Sequence, residues 1–160
     1  MAKPDTRKRQ LKFNHLDEMM NEVRSLNETG YVSNGNWTLG QTCGHLAEWM
    51  RYPIDGFPVM PLPIRVIFWM LKKTVLPGMK RKILAEGFKG GMMTAPESVP
   101  KEGEMSDQEG IDKLQEVVDR LKAHREGLFP SPLFGPMDVE MHTTVTLLHA
   151  NHHLGYLKPK

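Results

Sequence analysis

The chain has 160 residues, 39% of them hydrophobic, the size and composition of one domain that can bury a core without disulfides. Lys and Arg number 21 against 19 Asp and Glu, and a net charge of +2 is too small to argue for a nucleic-acid partner. Cys43, the single cysteine, cannot form an internal disulfide, as expected of a cytoplasmic protein.

Met1 to Lys12 is basic but has neither the apolar stretch nor the small-residue cleavage site of a secretory signal, so residues 1–11 read as a flexible, solvated lead-in. The first helical signal runs from Leu16 to Leu26, where Leu16, Met19, Met20, Val23 and Leu26 recur at the three-and-four spacing of one buried face. Gly30 and Gly35 break it. Thr38-Leu-Gly-Gln41 is a capping box that starts a second helix just ahead of His45. Pro53, Pro58, Pro61 and Pro63 make Tyr52 to Pro63 a stiff connection rather than a helix.

A short extra helix follows over Ile64 to Val75, ending near Pro77-Gly78. Its apolar run is far below the roughly 20 residues that span a bilayer. With the basic cluster Lys80-Arg81-Lys82 beyond it, the segment could lie on a membrane surface. An amphipathic core helix with a solvated basic end accounts for the same pattern, and no membrane partner is expected. Residues 87–105 are too rich in Gly and Pro for regular structure and read as a long loop. Ser106-Asp-Gln-Glu109 is a second capping box, opening a helix with the stripe Ile111, Leu114, Val117, Val118 and Leu121 that ends near Glu126-Gly127. Pro130, Pro132, Gly135 and Pro136 form a connection, and Asp138 caps a last helix reaching about Leu157. No strand pair with alternation is evident. The expected fold is all-α: one domain over 1–160, a four-helix up-and-down bundle with long Pro/Gly-rich crossovers.

Three of the seven histidines fall in one run, His149-Ala-Asn-His152-His153. On a helix His149 and His153 stand one above the other, a spacing that lets two imidazoles bind one cation, whereas His152 lies ~60° round. A third ligand has to come from elsewhere, and His45, beside Leu46, Trp49 and Met50, is the best candidate. A buried, hydrogen-bonded core histidine is the ordinary alternative for each. His142, seven before His149, shares its face and could orient a ligand or wall the site. His152 is expected to pack against a neighbouring helix, and His15 and His124 sit at helix ends. Cys43 points away from His45 and reads as a buried small residue. Glu48 and Tyr156 are the remaining candidates, Glu48 as a base or orienting group and Tyr156 as a hydrogen-bond donor to substrate.

Trp37-Thr-Leu-Gly-Gln41, Gly44-His45-Leu46-Ala47, Pro132-Leu-Phe-Gly135 and His149-Ala-Asn-His152-His153-Leu154, in that order, resemble the DinB-like superfamily of metal-dependent helical proteins. The resemblance is narrower to a bacterial branch known as a domain of unknown function, and it covers about Leu11 to Leu157. It implies a four-helix bundle with a divalent metal held near one end by His45, His149 and His153. Members with known activity include transferases and isomerases that use low-molecular-weight thiols such as bacillithiol and mycothiol. The chain departs at Tyr156, where relatives often carry a glutamine after the final histidines.

The expected function is therefore a divalent-metal-dependent enzyme, a thiol-dependent S-transferase or a hydrolase. Three neutral imidazoles favour zinc, with nickel, manganese and iron also open. One alternative is a non-catalytic, stress-associated module holding metal for stability. Another is a homodimer, with Leu147 and Leu154 on the far side of the last helix meeting either another helix or a second copy.

Overall fold

In the computed structural model, which describes residues 8–89 and 105–160, six helices and two short strands carry the described chain. They are α1 Leu16–Thr29, β1 Tyr31–Ser33, α2 Leu39–Asp55, α3 Leu62–Thr74, α4 Leu76–Glu86, α5 Asp107–Ala123, α6 Val139–Leu154 and β2 Leu157–Pro159. Residues 1–7 of the expected lead-in and 90–104 of the expected long loop lie outside the described residues.

Leu16, Met19, Met20, Val23 and Leu26 of α1 are all buried, although the His15 side chain makes no capping bond at its start. Burial therefore outweighs capping here. Five such side chains contribute on the order of 10 kcal/mol of transfer free energy against about 1 kcal/mol for a cap. Both capping boxes form as the sequence predicts. The Gln41 amide donates to Thr38 Oγ1 at 3.2 Å and the Thr38 amide to Gln41 Oε1 at 2.9 Å. Ser106 and Glu109 repeat the pattern at the head of α5. The two helix starts are also tied to each other, because Asp107 Oδ1 accepts from the Gly40 amide at 2.7 Å and from the Tyr31 hydroxyl at 3.2 Å.

That tie is possible because α2 and α5 meet backbone to backbone. A Cβ on Gly40 would stand 2.3 Å from the Ser106 carbonyl oxygen, and one on Gly110 would stand 2.2 Å from the Gly40 oxygen. Only glycine fits either position. The resulting core draws on α1, α2, α5 and α6 together with Leu157. Leu147 and Leu154 are buried in it, so the chain's own helices occupy the face that a second copy was a candidate to cover. A smaller cluster of Ile83, Phe134, Met137 and Val145 seats α4 against α6 and the 131–137 turn.

Four expectations change. First, α2 continues through Pro53 to Asp55. In the last turn a proline forfeits only one helical hydrogen bond, and the freed end is held elsewhere: the Phe129 amide donates to the Pro53 carbonyl at 2.8 Å and the Gly56 amide to Tyr52 at 2.8 Å. Second, Pro77 does not end helical structure but stands in the first turn of α4, where a missing N–H costs nothing. Third, no residue of α3 is buried, so it is not a core helix. Fourth, β1 and β2 pair antiparallel, Val32 opposite Lys158, which ends α6 at Leu154 rather than Leu157. The described part of the lead-in lies against this end: the Arg9 amide donates to the Gly155 carbonyl at 2.8 Å, and its guanidinium pairs with Glu22 at 2.5 Å.

Candidate metal centre

His45 stands in the second turn of α2, and His149 and His153 stand one turn apart near the end of α6. The two helices pack side by side, and the three imidazoles converge. One ligand atom from each lies within 4.8 Å of the others, and no carboxylate or thiol joins the group among the described residues. His45 Nε2 is 3.3 Å from His149 Nε2, and His153 Nε2 is 2.9 Å from the same atom.

This last arrangement discriminates between the two readings of a histidine cluster. A neutral imidazole nitrogen has a single in-plane position, either a proton or a lone pair. His149 Nε2 faces two partner nitrogens at once and can satisfy only one by hydrogen bonding. A shared cation serves all three lone pairs together. Two nitrogens bonded at about 2.0–2.1 Å to one tetrahedral ion stand about 3.3–3.4 Å apart, close to the His45–His149 distance. His149 Nδ1 is buried with no partner among the described residues, a cost of about 1–3 kcal/mol that a bond from Nε2 to a cation offsets. The residues present fit a divalent metal.

The surroundings of His149 and His153 favour their neutral forms. His149 is wholly enclosed, and burial first, then the neighbouring imidazoles of His153 and His45, push its pKa well below the ordinary value. Burial, with His45, His152 and Lys8 behind it, takes His153 down to about 2. Neutral imidazole is the form that ligates. The enclosing walls are aromatic. Trp37 stacks on His153 at 5.0 Å with 16° between the planes and leans on His45 at 4.9 Å. Trp49 and Phe88 cover His149 at 4.6 and 4.9 Å. His45 and His149 are buried and His153 half-buried.

The other candidates fall outside the cluster. His142 is a buried core histidine whose Nε2 lies 2.9 Å from the Met50 carbonyl, the ordinary role for such a residue. His152 Nδ1 meets Lys8 Nζ at 3.3 Å, and its ring stands edge-on to His153 and Tyr156. Tyr156 meets the His152 ring with 5.6 Å between centroids. Glu48 accepts from Arg51 Nε and Nη2 at 3.0 and 2.8 Å. Cys43 is fully buried, and burial pushes its thiol pKa far up, leaving an unreactive thiol.

The aromatic walls were missed from the sequence. Trp49 could have been found, since it is four residues after His45 on the same helix face. Phe88 could not, because nothing local distinguishes it within a Gly- and Pro-rich stretch.

Residues 5–160 match the model of the family DUF1569, described as a protein of unknown function. No curated protein and no solved structure matches the chain.

Proposed function

We propose that this chain, which belongs to the DUF1569 family, is a divalent-metal-dependent enzyme acting on a low-molecular-weight thiol, as an S-transferase, or on a hydrolysable bond. The observation that supports this most is His149 Nε2 facing the Nε2 atoms of both His45 and His153. In this reading those three residues hold the metal, with zinc favoured by an all-imidazole set. A divalent cation there supplies a Lewis acid that lowers the pKa of a thiol or water and so yields a nucleophile at neutral pH. Trp37 orients His153 by stacking, while Trp49 and Phe88 exclude water from His149 and keep the local dielectric low. Substrate enters from the half-buried His153 side. The proposal includes the architecture, a DinB-like four-helix bundle of α1, α2, α5 and α6, supported by the single core those helices share.

Two measurements test it. Metal analysis of purified protein beside His149→Ala and His153→Ala should find bound metal in the wild type only, with circular dichroism unchanged. Metal-depleted and zinc-loaded protein are then compared for conjugation of simple thiols to electrophiles and for hydrolysis of activated esters. Equal rates in both forms sink the enzymatic reading. The rival, metal held for stability alone, draws support from the burial of His45 and His149 under aromatic rings. It predicts a higher melting temperature on zinc loading with no turnover.

A further inference from the structure

Helix α3 differs from the other helices described in having no buried residue. Leu62, Val66, Trp69, Met70 and Lys73 follow one another at i, i+4, i+7, i+8 and i+11, a single stripe along the helix. Leu62 is 69% exposed, Trp69 60%, Met70 52% and Val66 50%. The opposite side carries Phe68 and Leu71, which are half-buried, with Ile64 beside them 42% exposed, and Ile67 between the two sides is 50% exposed. A row of large apolar side chains, Trp included, thus faces outward at the very place where a core helix was expected.

The charge around this stripe is one-sided. Between Asp55 and Glu86 the chain has no acidic residue and six basic ones: Arg65, Lys72, Lys73, Lys80, Arg81 and Lys82. With a total charge of +2, the remaining residues sum to 2 − 6 = −4. A two-fold contact between copies through α3 would set Arg65, Lys72 and Lys73 of each copy against the same three of the other, with no acidic residue in the helix to compensate, which disfavours a second copy as the occupant. At 13 residues α3 is about 20 Å long, short of the ~30 Å of a hydrocarbon core, and no described helix is long and apolar enough to cross a membrane. An apolar stripe with Trp, in a segment whose charged residues are all Lys and Arg, has the composition of a helix that lies in the headgroup layer of an anionic bilayer.

We propose that α3 is a membrane-surface helix: Leu62, Val66, Trp69 and Met70 enter the boundary of the acyl chains, and Arg65, Lys72, Lys73, Arg81 and Lys82 meet anionic headgroups, whereas Lys80 donates to the Phe134 carbonyl at 3.1 Å. Lys73 lies on the same stripe with its Nζ 4.4 Å above the Trp69 ring, and its long stem lets the ammonium leave the ring for the headgroup layer as Trp69 inserts. The sequence alone favoured no membrane partner because it assigned this apolar face to the core.

The test is co-sedimentation of the full chain with vesicles of phosphatidylcholine alone and of phosphatidylcholine with one third phosphatidylglycerol, at low and high salt. Binding should be confined to the anionic vesicles and weaken with salt. The double variant Lys72→Gln/Lys73→Gln should lower the partition coefficient about thirty-fold, at ~1 kcal/mol per basic residue near the surface. Trp69→Ser should also weaken binding, and both variants change exposed positions, so circular dichroism should be unaltered. Equal binding to neutral and anionic vesicles, or no binding to either, overturns the proposal. So does a dimer in sedimentation velocity that Trp69→Ser dissolves, which would assign the stripe to a second copy.

Discussion

Gly40→Ala tests whether the close crossing of α2 and α5 is what builds the scaffold of the histidine cluster. Helix propensity alone favours alanine by about 1 kcal/mol. Against that, the new methyl would stand 2.3 Å from the Ser106 oxygen, 2.6 Å from its carbonyl carbon and 2.9 Å from Asp107 Cα, where ordinary contact begins at 3.4 Å. All three neighbours are backbone, so no side chain can turn aside and the helices must part by roughly 1 Å. Overpacking of this kind costs about 1–3 kcal/mol or more, and separation also weakens the bond from the Gly40 amide to Asp107. The net expectation is a loss of about 2 kcal/mol, or ~4–8 °C in melting temperature for a chain of this size. Gly78→Ala is the matched control. It lies in α4 with nothing within 4 Å of the added Cβ, and should raise stability by ~0.4–1 kcal/mol. Thermal melts followed by circular dichroism read both. A Gly40→Ala protein as stable as the wild type would refute the steric argument. Zinc titration of the same variant shows which helix gave way: affinity falls if α2 moves and takes His45 with it, because ligand distances tolerate only about 0.2 Å.

Further outcomes follow from the site and its supports. Metal-free protein should lose stability as pH falls below about 6.5. In the unfolded chain His149 and His153 protonate near that value, whereas in the fold both pKa values are depressed, that of His153 to about 2. The unfolded state therefore gains protons first, and the stabilisation is full above pH 6.5 and declines below it. Urea melts at pH 7.5 and 5.5 that coincide would contradict this. Trp37→Ala should weaken metal affinity and lower stability by about 1–3 kcal/mol, through the lost stack on His153 and the space left behind; calorimetric zinc titration beside a melt separates the two effects. Asp138→Ala should cost ~0.5–2 kcal/mol, since its carboxylate accepts the Met141 amide at 2.7 Å. A change within error in chemical denaturation would show the start of α6 to be held by other contacts.

The parts of the fold legible in the residues are those whose causes are local. Thr38 with Gln41, Ser106 with Glu109, and Asp138 each fix a helix start through atoms three or four residues apart. The stripes of α1 and α5 fix their buried faces in the same way. The β1–β2 pair has no such signature, being two three-residue segments from distant parts of the chain. Pro53 and Pro77 misled for a common reason. A proline in a first turn loses no bond, because that N–H has no helical partner, and a proline in a last turn loses a single bond with little helix left to disrupt. The apolar pattern of α3 predicted a helix correctly but could not say what lies against it. At the site, the four-residue spacing of His149 and His153 is visible in the sequence, while the approach of His45 depends on how α2 packs against α6. The partner that His142 chose, the Met50 carbonyl, depends on the same packing.

The three tryptophans let events at the histidine cluster and at α3 be told apart by light. Trp37 and Trp49 touch imidazoles of the histidine cluster, whereas Trp69 sits on the outer stripe of α3. Loading the centre with a paramagnetic ion such as Co²⁺ or Ni²⁺ would quench the emission of the first pair and spare the third. Contact with a bilayer would shift the third to the blue and spare the pair. Occupancy of the cluster and engagement of α3 can therefore be followed in one unlabelled sample, each with its own spectral response.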